Sequence, residues 1–266
     1  MTKRYAVIGD PVAHSLSPLM HTGWIADHGL DATYEAYRLR SDDVVAAIRG
    51  LTQFAGMNVT VPHKEAAAAA ANRSESDAAN VLRREADGSL SAFNTDGAGF
   101  LNALDEAAPG WRSRVKHALV LGAGGAAQGI AQSLSPYVTA VGVANRTQAR
   151  AVELARALPN GHVRDWTHLS EAFAEADLIV QTTTLGMAGT DSPAWPFDVC
   201  DAGTIAVDIV YRPPETPFLA ASRRRGLKSV DGLGMLIRQG ALSFEIWHGI
   251  KPDVAKARAR LEAALA

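Results

Sequence analysis

The chain has 266 residues, and its 26 Lys plus Arg against 28 Asp plus Glu give a formal net charge of -2, which offers no electrostatic footprint for nucleic acid or an anionic membrane. With 47 % apolar and 20 % charged residues it has a globular composition, enough for one large or two ordinary cores, and disordered and collagen-like classes are excluded. Its lone cysteine, Cys200, excludes an internal disulfide framework or a Cys-based zinc site and points to a reducing, cytoplasmic setting; no metal is expected, and a small molecule is the expected partner.

Tyr5 to Ile8 is a short apolar run closed by Gly9-Asp10-Pro11, a strand and a turn too short for a signal-peptide core. Ser17-Pro18 predicts a helix capped by Ser17, with Leu19, Met20, Trp24 and Ile25 at helical spacing. A second strand, Thr33 to Leu39, precedes a helix capped by Ser41-Asp42-Asp43 and stopped at Gly50. In Asn58-Val59-Thr60-Val61-Pro62-His63-Lys64 polar and apolar residues alternate, which predicts a half-buried strand with Asn58 and Thr60 on one face. The alanine run Ala66 to Ala71 is helical on propensity. Val81 to Arg84 and Leu90 to Phe93 flank Ala86-Asp87-Gly88 as a hairpin, and Asn94-Thr95-Asp96-Gly97 leads into an amphipathic helix ending near Pro109-Gly110.

Beyond that boundary signal, strands and helices alternate: Ala118 to Leu121, Ala126 to Leu134, Val138 to Val143, Thr147 to Leu158, Leu178 to Thr182 and Thr204 to Val210. Such alternation implies an α/β fold with a parallel sheet covered on both faces. Two helices separated by Pro252 complete the chain from Asp231.

The run Leu119 to Ala127 is a buried strand entering a GxGxxA turn and then a helix, the arrangement that binds a dinucleotide pyrophosphate at a helix N-terminus. Gly122 permits the tight turn, Gly124 the close approach of backbone to phosphate, and Ala127 close helix packing. After the second strand, where a carboxylate would accept from the ribose 2'-hydroxyl of NAD, the sequence reads Asn145-Arg146-Thr147, with Arg150 one helical turn on. Arginine there suits a 2'-phosphate, so NADP(H) is the expected cofactor. His14-Ser15-Leu16-Ser17-Pro18 places two hydroxyls near a helix start, which suits a carboxylate.

The serine pair in HSLSP, NVTVPHK, NTDG, GAGGAA, NRT, TPFL and DGLGMLIRQ, in this order over nearly the whole chain, resemble the shikimate dehydrogenase family. The resemblance implies an α/β protein of two domains: a three-layer substrate domain of residues 1–101 and 241–266, and a Rossmann-type NADP domain of residues 102–240. It implies interconversion of 3-dehydroshikimate and shikimate by hydride transfer at C3, in the route to aromatic amino acids. Carried over by position, Ser15 and Ser17 hold the substrate carboxylate; Asn58, Thr60, Asn80 and Gln239 hold ring hydroxyls, with Tyr211 nearby; Lys64 and Asp96 are the catalytic pair. Gly122, Ala123, Gly124, Gly125, Ala126, Asn145, Arg146, Thr147, Arg150, Thr183, Ile209 and Gly232 hold the cofactor.

Such chemistry needs a pair of this kind. Hydride arriving at a ketone leaves charge on oxygen, and an ammonium within hydrogen-bond reach stabilises that charge and donates the proton. Asp96 is expected to orient Lys64, and His63 to serve packing or support. Two departures from the family stand out: Asp77-Ala78-Ala79-Asn80-Val81 lacks the usual threonine, and Gln181 replaces a common asparagine. They keep open a quinate/shikimate dehydrogenase of broader specificity, including one that uses NAD, and a non-catalytic sensor of NADP or shikimate. Whether the chain is a monomer or a homodimer is also open.

Overall fold

The computed structural model describes residues 2–74, 76–187 and 190–265. The chain forms two compact units, one of residues up to Asp96 together with Leu236–Ala264, the other of Gly97–Met235. The limits at 101 and 240 implied by the resemblance lie within the same two helices, Asp96–Ala107 and Gly232–His248.

In chain order the first unit supplies β1 (Lys3–Gly9), α1 (Ser17–Asp27), β2 (Ala32–Arg38), α2 (Val44–Gly50), β3 (Gly56–Val59), α3 (Lys64–Ala70), β4 (Arg73–Ser74), β5 (Val81–Arg84) and β6 (Leu90–Phe93). Then follow α4 (Asp96–Ala107), α5 (Trp111–Arg114), β7 (His117–Leu121), α6 (Gly125–Leu134), β8 (Ala140–Ala144), α7 (Gln148–Arg156), β9 (Gly161–Arg164), α8 (Leu169–Glu175), β10 (Leu178–Gln181), β11 (Ile205–Asp208), α9 (Pro217–Arg224) and β12 (Lys228–Val230). Helices α10 (Gly232–His248) and α11 (Val254–Leu265) end the chain. No helix among the described residues is long and apolar enough to cross a membrane.

The first sheet runs β2-β1-β3-β5-β6-β4, with β1 parallel to both neighbours and β5 antiparallel to β3 and β6. Here the expected half-buried strand is corrected. All four residues of β3 are buried, because it lies between β1 and β5 with helices over both faces, and it ends at Val59, so Thr60 lies beyond the ladder. Ala6, Ile8, Met57 and Val59 pack with Ile48, Phe54 and Ala67 in a largely aliphatic core beneath α2 and α3. The opposite face presents Tyr5, Tyr34 and Asn58 to α1 and α10: Trp247 lies 5.0 Å from the Tyr5 ring, and His21 stacks on Tyr34 at 4.3 Å with 3° between planes. A side chain at Gly56 would collide with the Trp247 indole, so glycine there lets that ring lie on the sheet. Helix α11 docks on α1 through Trp24 Nε1, which donates to the Asp253 carbonyl at 2.9 Å, and through the Arg260–Asp27 ion pair at 2.5 Å.

A second correction concerns the start of α1. Leu16, not Ser17, is the capping residue, and Ser17 is already helical, its N–H donating to Ser15 Oγ at 3.2 Å. Asp43 caps α2 as expected, accepting from Ala46 N at 2.9 Å.

The second sheet is wholly parallel in the order β12-β11-β10-β7-β8-β9. Its direction of winding reverses between β7 and β10, which is where doubly wound sheets bind ligands. Helices α4, α6 and α7 cover one face and α8 and α9 the other. Elements β9, α8, α9 and β12 were not marked by the sequence pattern; β9 is only half-buried along its length, and β12 has three residues.

His21 is wholly buried and its Nε2 has no partner. Burial, with His248 adding to it, holds the imidazole down to about 3, below the ordinary 6.5, and burial brings His248 down to about 4. The unfolded chain therefore takes up these protons first, so the stability both residues support is intact above about pH 6.5 and lost as pH falls toward 3. Replacing His21 with Phe keeps an aromatic ring on Tyr34 and removes one of the two titrations. Melting temperatures measured at pH 7 and pH 4.5 should differ less for the His21→Phe variant than for the parent protein; an undiminished difference would show that His21 does not govern the acid limb.

Candidate functional site

In the first unit Asp96, Gln239 and Asn58, three of the expected catalytic and ring-binding residues, meet at Asn80. Asn80, just ahead of β5 and 2 % exposed, directs Nδ2 at Asp96 Oδ1 (2.8 Å), Thr95 Oγ1 (3.0 Å) and Gln239 Oε1 (3.1 Å), while its Oδ1 accepts from Thr95 N at 2.7 Å. The other oxygen of Asp96 accepts from Lys64 Nζ, and the two side chains are 6 % and 14 % exposed. Lys64 opens α3 and Asp96 opens α4. A helix N-terminus favours a carboxylate and disfavours an ammonium, so Asp96 suits its position while Lys64 depends on its partner. Ala79 N donates to the Lys64 carbonyl at 2.9 Å and fixes the base of the lysine. Gln239 Nε2 donates to the Leu236 carbonyl at 2.8 Å, which turns Oε1 toward Asn80.

Asn58 is 5 % exposed and fully occupied as a donor, to Ser243 Oγ at 2.8 Å and the Asn80 carbonyl at 3.3 Å; its Oδ1 accepts from Tyr34 Oη at 2.8 Å. Thr60 is half-buried, and its N–H reaches the Ile8 carbonyl at 2.9 Å. Ser15 is half-buried and Ser17 buried; Ser15 Oγ accepts the Ser17 N–H, which leaves its own proton free for an anionic oxygen. His63 Nε2 meets the Leu39 carbonyl at 2.9 Å, and since a carbonyl only accepts, that nitrogen carries the proton. His63 therefore supports the turn, as expected. Thr95, Ser243 and Tyr34 were missed from the sequence. Thr95 lies inside NTDG and was open to discovery there; Ser243, one turn beyond Gln239, and Tyr34, within β2, look like ordinary helix and strand residues.

In the second unit Gly122 has φ +116°, a conformation that L side chains rarely adopt, and its missing side chain makes room for Thr182 and Thr183. Its N–H donates to the Ala144 carbonyl at 2.8 Å, which ties the glycine turn to the end of β8. Gly124 precedes α6 in extended backbone with open space where a side chain would point, and no side chain caps the helix. Gly125 and Ala126 form its first turn, whose free N–H groups and positive dipole end suit a pyrophosphate, with Ala123 alongside. Asn145 Nδ2 donates to the Thr147 carbonyl at 2.9 Å and shapes the turn into α7; Arg146, Thr147 and Arg150 are exposed there. Neither guanidinium has an ion-pair partner among the described residues, and no carboxylate follows β8, so the donor set fits a 2'-phosphate.

Gln181 Oε1 accepts from Thr183 N at 2.5 Å and its Nε2 donates to the Leu185 carbonyl at 3.0 Å, so this departure from the family clamps the loop that carries Thr183. Gly232 packs against the backbone of Ile209, and Ile209 N donates to the Gln181 carbonyl at 3.1 Å. Tyr211 lies in the same post-β11 loop. The buried Asp208 at the end of β11 holds that loop by accepting from Val210 N (2.9 Å) and Thr216 Oγ1 (2.6 Å), and burial pushes its carboxyl up to about 6.

Three family models match the chain: the shikimate dehydrogenase substrate binding domain over residues 7–82, shikimate / quinate 5-dehydrogenase over residues 106–187, and the shikimate 5'-dehydrogenase C-terminal domain over residues 232–262. A shikimate dehydrogenase (NADP(+)) of Mesorhizobium japonicum is 44 % identical over 274 residues, covering 99 % of this chain and 97 % of the relative. Its counterpart from Acidiphilium cryptum is 44 % identical over 97 % of this chain and 95 % of the relative. Among solved structures, a Thermus thermophilus shikimate 5-dehydrogenase in complex with NADP(H) and shikimate superposes with TM-score 0.86 at 37 % identity, covering 99 % of this chain and 100 % of that one. A Corynebacterium glutamicum quinate dehydrogenase in complex with NAD gives TM-score 0.88 at 26 % identity over 98 % of this chain and 99 % of that one.

Proposed function

The chain belongs to the shikimate dehydrogenase family, and we infer that it is an NADP-dependent oxidoreductase interconverting 3-dehydroshikimate and shikimate by hydride transfer at C3. The observation that carries this reading is the buried contact of Lys64 with Asp96, held by Asn80 among side chains suited to a polyol. NADP(H), when bound, supplies or accepts the hydride.

In the reducing direction the Lys64 ammonium donates its proton to the oxygen that gains charge as the C–H bond forms, and in the oxidising direction it takes that proton back. Asp96 aims the ammonium and accepts from a neighbouring substrate hydroxyl, an arrangement that positions the reacting oxygen before chemistry begins. Ser15 and Ser17 bind the carboxylate, and Asn58, Thr60, Asn80 and Gln239, with Tyr211, recognise ring hydroxyls. Gly122, Ala123, Gly124, Gly125 and Ala126 cradle the pyrophosphate; Asn145, Arg146, Thr147 and Arg150 hold the adenosine 2'-phosphate; Thr183, Ile209 and Gly232 border the nicotinamide. The lone, buried Cys200 accords with a cytoplasmic setting, where the reaction serves aromatic amino acid synthesis.

NADPH formation followed by absorbance tests the reading: shikimate should be oxidised with NADP, and no turnover, or a strong preference for quinate with NAD, would overturn it. Lys64→Ala should lower kcat by at least ~10²-fold with the KM for NADP nearly unchanged, as expected for loss of the acid–base group; steady-state kinetics showing unchanged turnover would remove Lys64 from the mechanism. Arg146→Ala should raise the KM for NADP about tenfold or more while changing that for NAD little. Equal changes for both cofactors would refute the 2'-phosphate assignment.

A further inference from the structure

We propose that Tyr34 is a positioning residue that fixes the orientation of Asn58 at the ring-hydroxyl end of the substrate site. The proposal rests on the functional reading above and adds a residue to it. Tyr34 lies on β2, is 7 % exposed, and belongs to none of the motifs that carry the family resemblance. Its phenol donates to Asn58 Oδ1 at 2.8 Å. One buried hydroxyl thus bonds directly to a residue assigned to a ring hydroxyl.

The orientation of Asn58 makes this contact consequential. Its Nδ2 faces the Asn80 carbonyl, which only accepts, so the amide cannot be turned over and Oδ1 must face Tyr34. With its other N–H given to Ser243 Oγ, Asn58 meets the substrate only as an acceptor, through the lone pair of Oδ1 that Tyr34 leaves free. Tyr34 therefore sets the direction from which a ring hydroxyl is bound. The Tyr34 ring is itself held flat against His21, at 4.3 Å and 3°, so its hydroxyl has little freedom to follow a displaced Asn58.

Tyr34→Phe keeps the ring and removes only the hydroxyl. The KM for shikimate should rise about tenfold, with kcat within about threefold and the KM for NADP unchanged, which is the pattern of lost substrate positioning. Combined with Asn58→Ala, the loss in kcat/KM should be smaller than the product of the two single losses, because the substitutions share one bond. Tyr37→Phe, on the same strand but packed toward Phe54, should leave all constants unchanged. An unchanged shikimate KM in Tyr34→Phe overturns the proposal while the functional reading stands. A parallel rise in KM for both substrates with a lowered melting temperature also overturns it, because that marks a merely structural role. If the parent protein does not oxidise shikimate at all, the functional reading falls and this proposal with it.

Discussion

A lysine ammonium and an aspartate carboxylate, both nearly removed from solvent, tolerate burial only while they face each other and their remaining hydrogen-bonding capacity is met. Losing one partner of such a pair costs on the order of 3–5 kcal/mol, because the other charge is left without compensation. The first unit arranges its polar interior around that requirement. Asn80 occupies the second oxygen of Asp96, Thr95 occupies Asn80, and the carbonyl of Gln239 occupies Thr95 Oγ1 at 3.1 Å. Residues separated by 144 or more positions in sequence meet in this network, which is why α10 from Leu236 onward belongs with the first unit.

The corresponding region of the second unit is built from backbone. The turn at Gly122, the uncapped start of α6 and the close packing of Gly232 on Ile209 present N–H groups and open space instead of functional side chains. The groups that project beside these turns are Arg146 and Arg150, exposed and without a carboxylate partner among the described residues. Gln181 spans with its longer side chain from Thr183 N to the Leu185 carbonyl and ties that loop together.

The sequence made both architectures legible wherever a local rule dominates. Parallel alternation, the glycine turn, the hairpin around Asp87-Gly88 and the Asp43 cap all follow from short-range sterics or hydrogen bonding, and the structure keeps them. Elements fixed by tertiary contacts were not legible: β9 and β12 are short and weakly patterned. At Ser17 a favourable capping residue was displaced one position, because Ser15 Oγ already takes the Ser17 N–H and lets the helix begin there. The site was legible as motifs and illegible as a network, since neither Tyr34 nor Ser243 carries a signal of its own beyond ordinary strand or helix composition.

The misread alternation in Asn58-Val59-Thr60 shows why. Period-two patterning assumes that a polar side chain points to water, but β3 is covered on both sides and its polar face meets a second core. That second core is rich in rings with polar edges, among them His21, Tyr34 and Trp247, where the first is largely aliphatic. Such rings supply packing area and hydrogen-bonding tips together, so they can line a polar site without admitting bulk water. The division follows from the task of each face. A face that only stabilises is best filled with Ile, Met, Val and Ala, whereas a face that holds Asn58 in a fixed orientation needs partners that bond as well as pack. The price of that arrangement is visible in His21, a buried imidazole with an unpartnered nitrogen, retained where a purely stabilising core would place a hydrocarbon.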